Sequence, residues 1–449
     1  MDSYVREVAL LAVTFSALVA QGCASGTTTS ARSETVVAAT APCSADNAGL
    51  TLPPGFCASV FADSLGRARH LTVASNGDVY VAIEGTRPVP PGRTAPATPS
   101  FIALRDGNGD GRADVIERVG SRGNTGIELH DGYLYVDEGE RIVRYARPEG
   151  QLVPSLPPQV IVQGIPMNPG HRARNFVFGK SSELYVNVGS PSNACQVKDR
   201  AVESPGKDAC EELETRAGIW KFDASAIGQN FSPAARYATG SRNSTGLAFG
   251  DNGRLYAMTH GRDQLHENWL KVFTDSTYGH ENPGEEMIQV EQGDDFGWPY
   301  CYYAVDRLRL VDGPEYGGDG QKTTRCASKE GPVAVYPAHW APLSLLVYRA
   351  TAFPERYRGG AFISFHGSWN RARGMQAGGK IVFQPTANGA PSGRYEIFAD
   401  GFAGVPPQEI APATAKHRPV GLAVGPDGSL YVADDAGGRI YRITYNAQR

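Results

Sequence analysis

Nine histidines are spread along the 449-residue chain. One of them, His171, sits in a basic cluster with Arg174. Comparable polar groups recur: Arg67 with Arg69, then Asn124, then Arg242 with Asn243, then Lys416 with Arg418. Each lies a dozen or so positions before an aromatic residue in an apolar stretch, namely Tyr80, Tyr135, Tyr185, Tyr256 and Tyr431. Residues in one register of a repeat converge in space. Converging arginine and lysine side chains repel one another unless an anion lies among them, so this set calls for a small polyanionic ligand. Neighbouring cations also lower the pKa of an imidazole, which makes a neutral His171 a general-base candidate. Some of these arginines also suit bridges between neighbouring units, and His171 suits a structural hydrogen bond. His339 and Trp340 precede a further strand-like run. Trp340 suits either stacking on a planar ligand or a place in the core.

A second motif, Asp106-Gly-Asn108-Gly-Asp110-Gly111-Arg112-Ala-Asp114-Val-Ile-Glu117, matches a twelve-residue calcium loop. Side-chain oxygens stand at Asp106, Asn108, Asp110, Asp114 and Glu117. The seventh position, Arg112, offers a backbone carbonyl, and Gly111 supplies the sharp turn. The flanking residues read as strands, so the expectation is a structural calcium loop remote from the basic ring, with no sensor role.

The elements that must position these residues follow one repeated phrase: an apolar strand, a Gly/Asn/Asp turn, and a second strand with an early aromatic. It runs over 71–83, 127–138, 176–188, 247–259 and 422–434, with a degenerate copy at 353–365. Alternating apolar residues around turns that need positive φ specify hairpins. Third strands follow several copies, at 141–148, 218–225, 379–386 and 438–445. Repeats of this length and strand content are the pattern of a β-propeller. Six copies predict an all-β fold with six blades spanning 49–449, closed by an early strand near Cys57–Ala62. The long interval between Tyr256 and Phe362 predicts an insertion at about 262–345.

Composition narrows the function classes. A net charge of −4 excludes a dedicated nucleic-acid binder. Hydrophobic residues make up 41% of the chain, enough for a sizeable core. No G-x-S-x-G, P-loop or dinucleotide fingerprint occurs. Residues 1–22 read as a signal peptide, with an apolar run at Val8–Ala20 too short to span a bilayer. Gly22-Cys23 is similar to a lipobox, which makes Cys23 a lipidation candidate and a membrane anchor an expectation. Residues 23–48 read as a flexible tether. The chain is expected to be exported, to the periplasm or as an outer-membrane-anchored lipoprotein. The other six cysteines, Cys43, Cys57, Cys195, Cys210, Cys301 and Cys326, fall into three sequence-local pairs among fifteen connectivities.

The phrases LPPGFCASVFAD (52–63), HRARNFVFGKSSELYVNVGS (171–190), TGSRNSTGLAFGDNGRLY (239–256), FGWPYCYY (296–303), HWAPLSLLVY (339–348), FHGSWNR (365–371) and HRPVGLAVGPDGSLYVADD (417–435) resemble the soluble pyrroloquinoline-quinone (PQQ) glucose/sorbosone dehydrogenases. The sorbosone-dehydrogenase-like branch is the nearer one. The resemblance covers residues 50–446 and implies a six-bladed propeller. It implies that His171 is the catalytic base and that Arg242 and Asn243 face the quinone. Asn124, Arg174, Trp340, Asn370, Arg371, Lys416 and Arg418 become cofactor contacts. Backbone carbonyls in the loop His260-Gly261-Arg262-Asp263, those of Gly261 and Arg262, become ligands of an activating calcium.

PQQ carries three carboxylates, which answers the demand for an anion. The chemistry implied is oxidation of a sugar or sugar-derived aldehyde, aldose to lactone or sorbosone-like aldehyde to acid. Hydride passes to the quinone while His171 takes the hydroxyl proton, Ca²⁺ and Arg242 stabilise the developing charge, and electrons go on to a periplasmic acceptor. A non-catalytic binding scaffold and a calcium-dependent lactonase-like hydrolase are the alternatives. The hydrolase would need axial carboxylates or asparagines on one metal, whereas this ring is basic.

Overall fold

The computed structural model describes residues 43–85, 97–148, 150–167, 170–367, 369–371 and 376–447. The proposed signal peptide and Cys23 lie outside them, as does the tether up to residue 42.

Six sheets, antiparallel except for the two-residue strand Gln229–Asn230 that pairs in parallel at the edge of one, make six blades of a β-propeller. From the inner strand outward, blade 1 runs Ala68–Val73, Val79–Ile83, Phe101–Arg105 and Val115–Val119. Blades 2 to 5 begin with inner strands Ile127–His130, Phe176–Phe178, Ser244–Phe249 and Pro342–Val347. Blade 6 takes Pro419–Val424, Leu430–Asp434 and Ile440–Tyr445 from the C-terminus and its outer strand, Phe56–Ala62, from the N-terminus. Phe56 pairs with Tyr445 and Val60 with Tyr441. The early strand thus closes the ring as the repeat count requires.

The second strand of each blade is sandwiched between neighbouring blades, so both its faces are apolar. Val79–Ile83 and Leu430–Asp434 are buried throughout. The repeat aromatics sit in these seams: Tyr80, Tyr135, Tyr185, Tyr256, Phe362 and Tyr431 are all buried. Two of their hydroxyls tie one unit to the next. Tyr80 donates to the Leu152 carbonyl at 3.1 Å and Tyr135 to that of Ala224 at 3.0 Å. At the blade 2 hairpin both Asp131 and Gly132 have positive φ, 45° and 78°, the backbone of a type I′ turn whose twist suits the strands.

The stretch 262–345 is not one inserted block. The outer two strands of blade 4, Glu285–Val290 and Ala334–Tyr336, lie within it, and the first strand of blade 5 opens at its end. The added elements are two short helices, Leu265–Asn268 and Tyr278–Glu281, and a hairpin of Cys301–Ala304 with Arg309–Asp312. The six described cysteines pair as sequence neighbours: Cys43–Cys57, Cys195–Cys210 and Cys301–Cys326.

Candidate active site

The segments leading into the inner strands meet at one mouth of the ring. They border a cavity of about 600 Å³, within the ~300–1,000 Å³ common for small-molecule sites. Six arginines line it (Arg67, Arg69, Arg172, Arg200, Arg242 and Arg418) against four carboxylates, those of Asp199, Asp263, Glu285 and Asp435.

His171 stands at the start of blade 3. Its Nδ1 lies 2.7 Å from the Ser190 carbonyl and 3.0 Å from the Ser190 Oγ. That hydroxyl gives its own hydrogen to the Ser192 carbonyl at 2.7 Å, so both partners of Nδ1 are acceptors. The proton of the neutral ring therefore sits on Nδ1, and Nε2 keeps its lone pair. Burial, reinforced by the Arg242 charge, holds the His171 pKa well below the ordinary histidine value. His260 is also neutral, its pKa lowered to about 4 by burial. Its Nε2–H is spent on the Pro342 carbonyl at 2.6 Å.

Arg242 is buried and its guanidinium is occupied by protein. Nε donates to the Asn193 carbonyl (3.2 Å), Nη1 to that of Gly261 (2.7 Å), and Nη2 to Asn193 Oδ1 (3.0 Å) and Asp263 Oδ2 (2.9 Å). Asp263 Oδ2 also accepts from Arg200 at 2.7 Å, and its Oδ1 from Asn370. Burial raises the pKa of this carboxyl, but Arg242 and Arg200 outweigh that and hold it below the usual carboxylate range. Across the cavity, Asp435 joins Arg69 (2.6 Å) to His366 Nε2 (2.8 Å). Glu285 accepts from the Gly261 amide at 3.0 Å and the Ala341 amide at 2.9 Å, and burial pushes its pKa up to about 7.

Arg172 and Arg418 differ from the other arginines. Neither has an ion pair with a described carboxylate. Arg418 is held by backbone carbonyls, Nε to His366 at 3.1 Å and Nη2 to Gly367. Burial lowers its pKa to about 10. Drawing a cation out of water without a direct ion pair is costly; at Arg418 the nearby Asp435 and Asp434 charges offset part of that cost, and an anionic ligand would offset more.

Of the residues expected from sequence, the cavity gathers His171, Arg242, Asn243, Gly261, Asn370 and Arg418. The others go elsewhere. Asn124 is buried against Asp137 at 2.7 Å. Arg174 bridges blades, donating to the Gly139 and Pro166 carbonyls. Trp340 packs edge-on against Phe365, with ring centroids 5.3 Å apart, as a core residue. Arg371 pairs with Glu281 at 2.5 Å, and Lys416 points to solvent. The side chain of Arg262 is locked in a buried pair with Glu315. The Gly261 carbonyl faces the Arg242 guanidinium, so a calcium ion on that oxygen would lie against a fixed positive charge. The residues do not fit an activating calcium there.

The calcium-loop motif forms an exposed turn between the outer strands of blade 1. Asp106 Oδ1 accepts from the Gly109 amide, its Oδ2 from that of Gly111, and Asp114 Oδ1 from that of Gly107, each at 2.8 Å. Asp110 Oδ1 accepts from the Arg112 amide at 2.8 Å. Among the described residues these carboxylates do not converge on one point; the sole such cluster is Cys195, Cys210 and Glu212, whose sulfurs are in a disulfide. The Ala113 amide reaches the Phe61 carbonyl of blade 6 at 2.8 Å, so the loop stitches the two blades that close the ring.

Sequence reasoning missed Asp263, Arg200, Arg172, Glu285, Trp369 and the His366–Asp435 pair. A usable signal existed. In an antiparallel hairpin the end of the second strand returns to the mouth where the first began. Residues just after each aromatic, such as Glu84 after Tyr80 and Asp435 after Tyr431, therefore reach the same rim.

A family model described as TrAA12-like matches residues 50–446. The chain belongs to the TrAA12-like family. Its propeller superimposes on the iodide structure of Trichoderma reesei Carbohydrate-Active Enzymes Family AA12, with 19% identity, a TM-score of 0.70, and coverage of 89% of this chain and 98% of that one. It also superimposes on the holo form of the pyranose dehydrogenase PQQ domain from Coprinopsis cinerea, at 19% identity and TM-score 0.68, covering 88% and 97%. The PQQ-bound aldose sugar dehydrogenase of Streptomyces coelicolor is more distant, at 18% identity and TM-score 0.52, covering 88% and 99%. These likenesses establish the fold of this TrAA12-like chain. An uncharacterized protein of Borreliella burgdorferi is 28% identical over 273 residues, 60% of this chain and 59% of its own length.

Proposed function

We propose that this TrAA12-like protein is a PQQ-dependent dehydrogenase that oxidises a sugar, an aldose to its lactone or a sorbosone-like aldehyde to its acid. The observation that carries the reading is the pairing, in one cavity, of two arginines outside any described ion pair with a histidine whose free nitrogen is Nε2. A planar tricarboxylate suits that donor set: Arg172 and Arg418 would bind carboxylates, with Arg242, Asn243 and Asn370 beside them. Bound there, PQQ would supply an ortho-quinone able to take two electrons and a hydrogen from the sugar carbon. His171 Nε2 takes the proton of the sugar hydroxyl, and its depressed pKa keeps it ready as a base at neutral pH. The Ser190 carbonyl fixes the ring and shares the positive charge that arrives with the proton. Arg242, pinned by four hydrogen bonds, is a preorganised positive charge that needs no reorganisation during the reaction.

A calcium-dependent hydrolase is less well supported, because Asp263 and Asp435 are committed to arginines. The three disulfides support export to an oxidising compartment, where an electron acceptor would complete the cycle.

The test is addition of PQQ to the purified apoprotein. Saturable change in the absorption spectrum, followed by bleaching on addition of an aldose and dye reduction, is expected. No uptake of PQQ, with or without calcium, would overturn the reading.

A further inference from the structure

Trp369 is the one non-histidine aromatic residue bordering the cavity among the described residues. It is 57% exposed, whereas Arg242 and Asn243 are 3% exposed each. The indole therefore stands at the mouth, outside the buried donors that would hold a cofactor. An indole left this far in water forgoes the stabilisation of its burial, and nothing in the described chain covers it. It is nonetheless held in place. The Arg200 guanidinium lies 5.7 Å from its ring centroid, close enough for a cation–π contact. Arg200 is itself anchored by Asp263 at 2.7 Å and Gln264 Oε1 at 3.1 Å, on the loop closed by Cys195–Cys210. The neighbouring Asn370 is bonded to the other oxygen of Asp263. Arg200 and Asp199, both partly exposed and both lining the cavity, supply polar groups beside the ring.

We propose that Trp369 is a stacking platform for the pyranose ring of an aldose substrate, with Arg200 and Asp199 reading its hydroxyls. The π face of indole is electron-rich and meets the apolar C–H face of a sugar ring. An open-chain aldehyde presents no such face. The inference deepens the sugar-dehydrogenase reading by choosing the cyclic aldose over the aldehyde, and it rests on that reading.

The test compares wild type, Trp369→Ala and Trp369→Phe, each loaded with PQQ, on glucose, galactose, mannose, xylose and open-chain glycolaldehyde. For the best aldose, Trp369→Ala should raise KM about tenfold or more with kcat nearly unchanged, the signature of lost uniform binding. Trp369→Phe should keep most of the affinity, KM for glycolaldehyde should not move, and PQQ titration should match wild type. An unchanged aldose KM, or an equal rise for glycolaldehyde, would overturn the proposal. Weakened PQQ uptake would make Trp369 a cofactor cover and overturn it as well. Intrinsic fluorescence separates this result from the functional reading. The aldose should quench wild type without PQQ and fail to quench Trp369→Phe. Failure of PQQ uptake with that quench intact sinks the function alone, whereas absence of the quench sinks the platform.

Discussion

Replacing Asp263 with asparagine removes the charge that joins Arg242 to Arg200. Both carboxylate oxygens accept only from donors: two guanidinia on Oδ2 and the Asn370 amide on Oδ1. An asparagine must aim its own NH₂ at one of these, so the variant loses a charge and gains a donor–donor clash. The Arg242 side chain is 4% exposed and that of Asp263 14%, whereas Arg200 is 33% exposed. The Arg242 pair therefore dominates, and solvent screens the Arg200 pair. Breaking a buried pair costs ~3–5 kcal/mol. Three neutral acceptors still hold Arg242, so the lower end applies, about 3 kcal/mol at pH 7. Urea unfolding followed by tryptophan fluorescence measures it directly. The sign with pH is fixed by the depressed folded-state pKa of Asp263. Its stabilisation is fully present above the unfolded value near 4 and is lost as pH falls through the folded value, so the gap between wild type and variant should shrink below pH 4. The variant cavity is also more positive, so citrate, a tricarboxylate, should stabilise it more than wild type. A gap under about 1 kcal/mol at pH 7, against the ~3 expected for a buried pair, would refute the electrostatic account of this site. So would a gap unchanged at pH 3.

Two further outcomes follow from the geometry. His171→Gln should retain PQQ binding and slow reduction of the cofactor by roughly 10²-fold or more, the scale of losing a general base. In wild type the acid limb of that rate should lie well below pH 6.5, because the His171 pKa is lowered; stopped-flow spectra at several pH values check both, and a wild-type rate in the variant removes His171 as the base. Asp110→Ala should lower the melting temperature equally in calcium and in chelator, because its carboxylate accepts from the Arg112 amide and does not converge with its neighbours; a loss seen in calcium alone would show that the loop holds an ion.

The architecture was legible because one phrase recurs with an aromatic at a fixed place, and that aromatic has one destination. Both faces of a second strand are covered by neighbouring blades, so Tyr80 and Tyr431 have nowhere to go except a seam. The closing strand was legible for a related reason: Ile440–Tyr445 needs an outer partner, and Phe56–Ala62 has the apolar pattern to provide it. The division of 262–345 was not legible, since Glu285–Val290 opens with two glutamates and its apolar positions are only Met287, Ile288 and Val290. Glu285 belongs to the cavity and Glu286 packs behind it, where burial raises its pKa to about 8.

The site was half legible, and the missing half has a common cause. The segments before the inner strands are irregular, so no pleat decides which way a side chain turns. His171 and Arg174 are three residues apart, yet one borders the cavity and the other crosses to blade 2. Counting upstream of the aromatics found cations and neutral polar groups but no anions, because the anions lie downstream, where the second strands return to the mouth. Glu84 and Asp435 meet Arg67 and Arg69 there, and Asp263 meets Arg242 and Arg200. These pairs remove most of the repulsion that the ring of cations first implied. What remains is more specific than a basic ring: two arginines, Arg172 and Arg418, without ion pairs, beside a neutral histidine. The demand for an anion is thus narrowed from a whole rim to the two side chains where its carboxylates would bind.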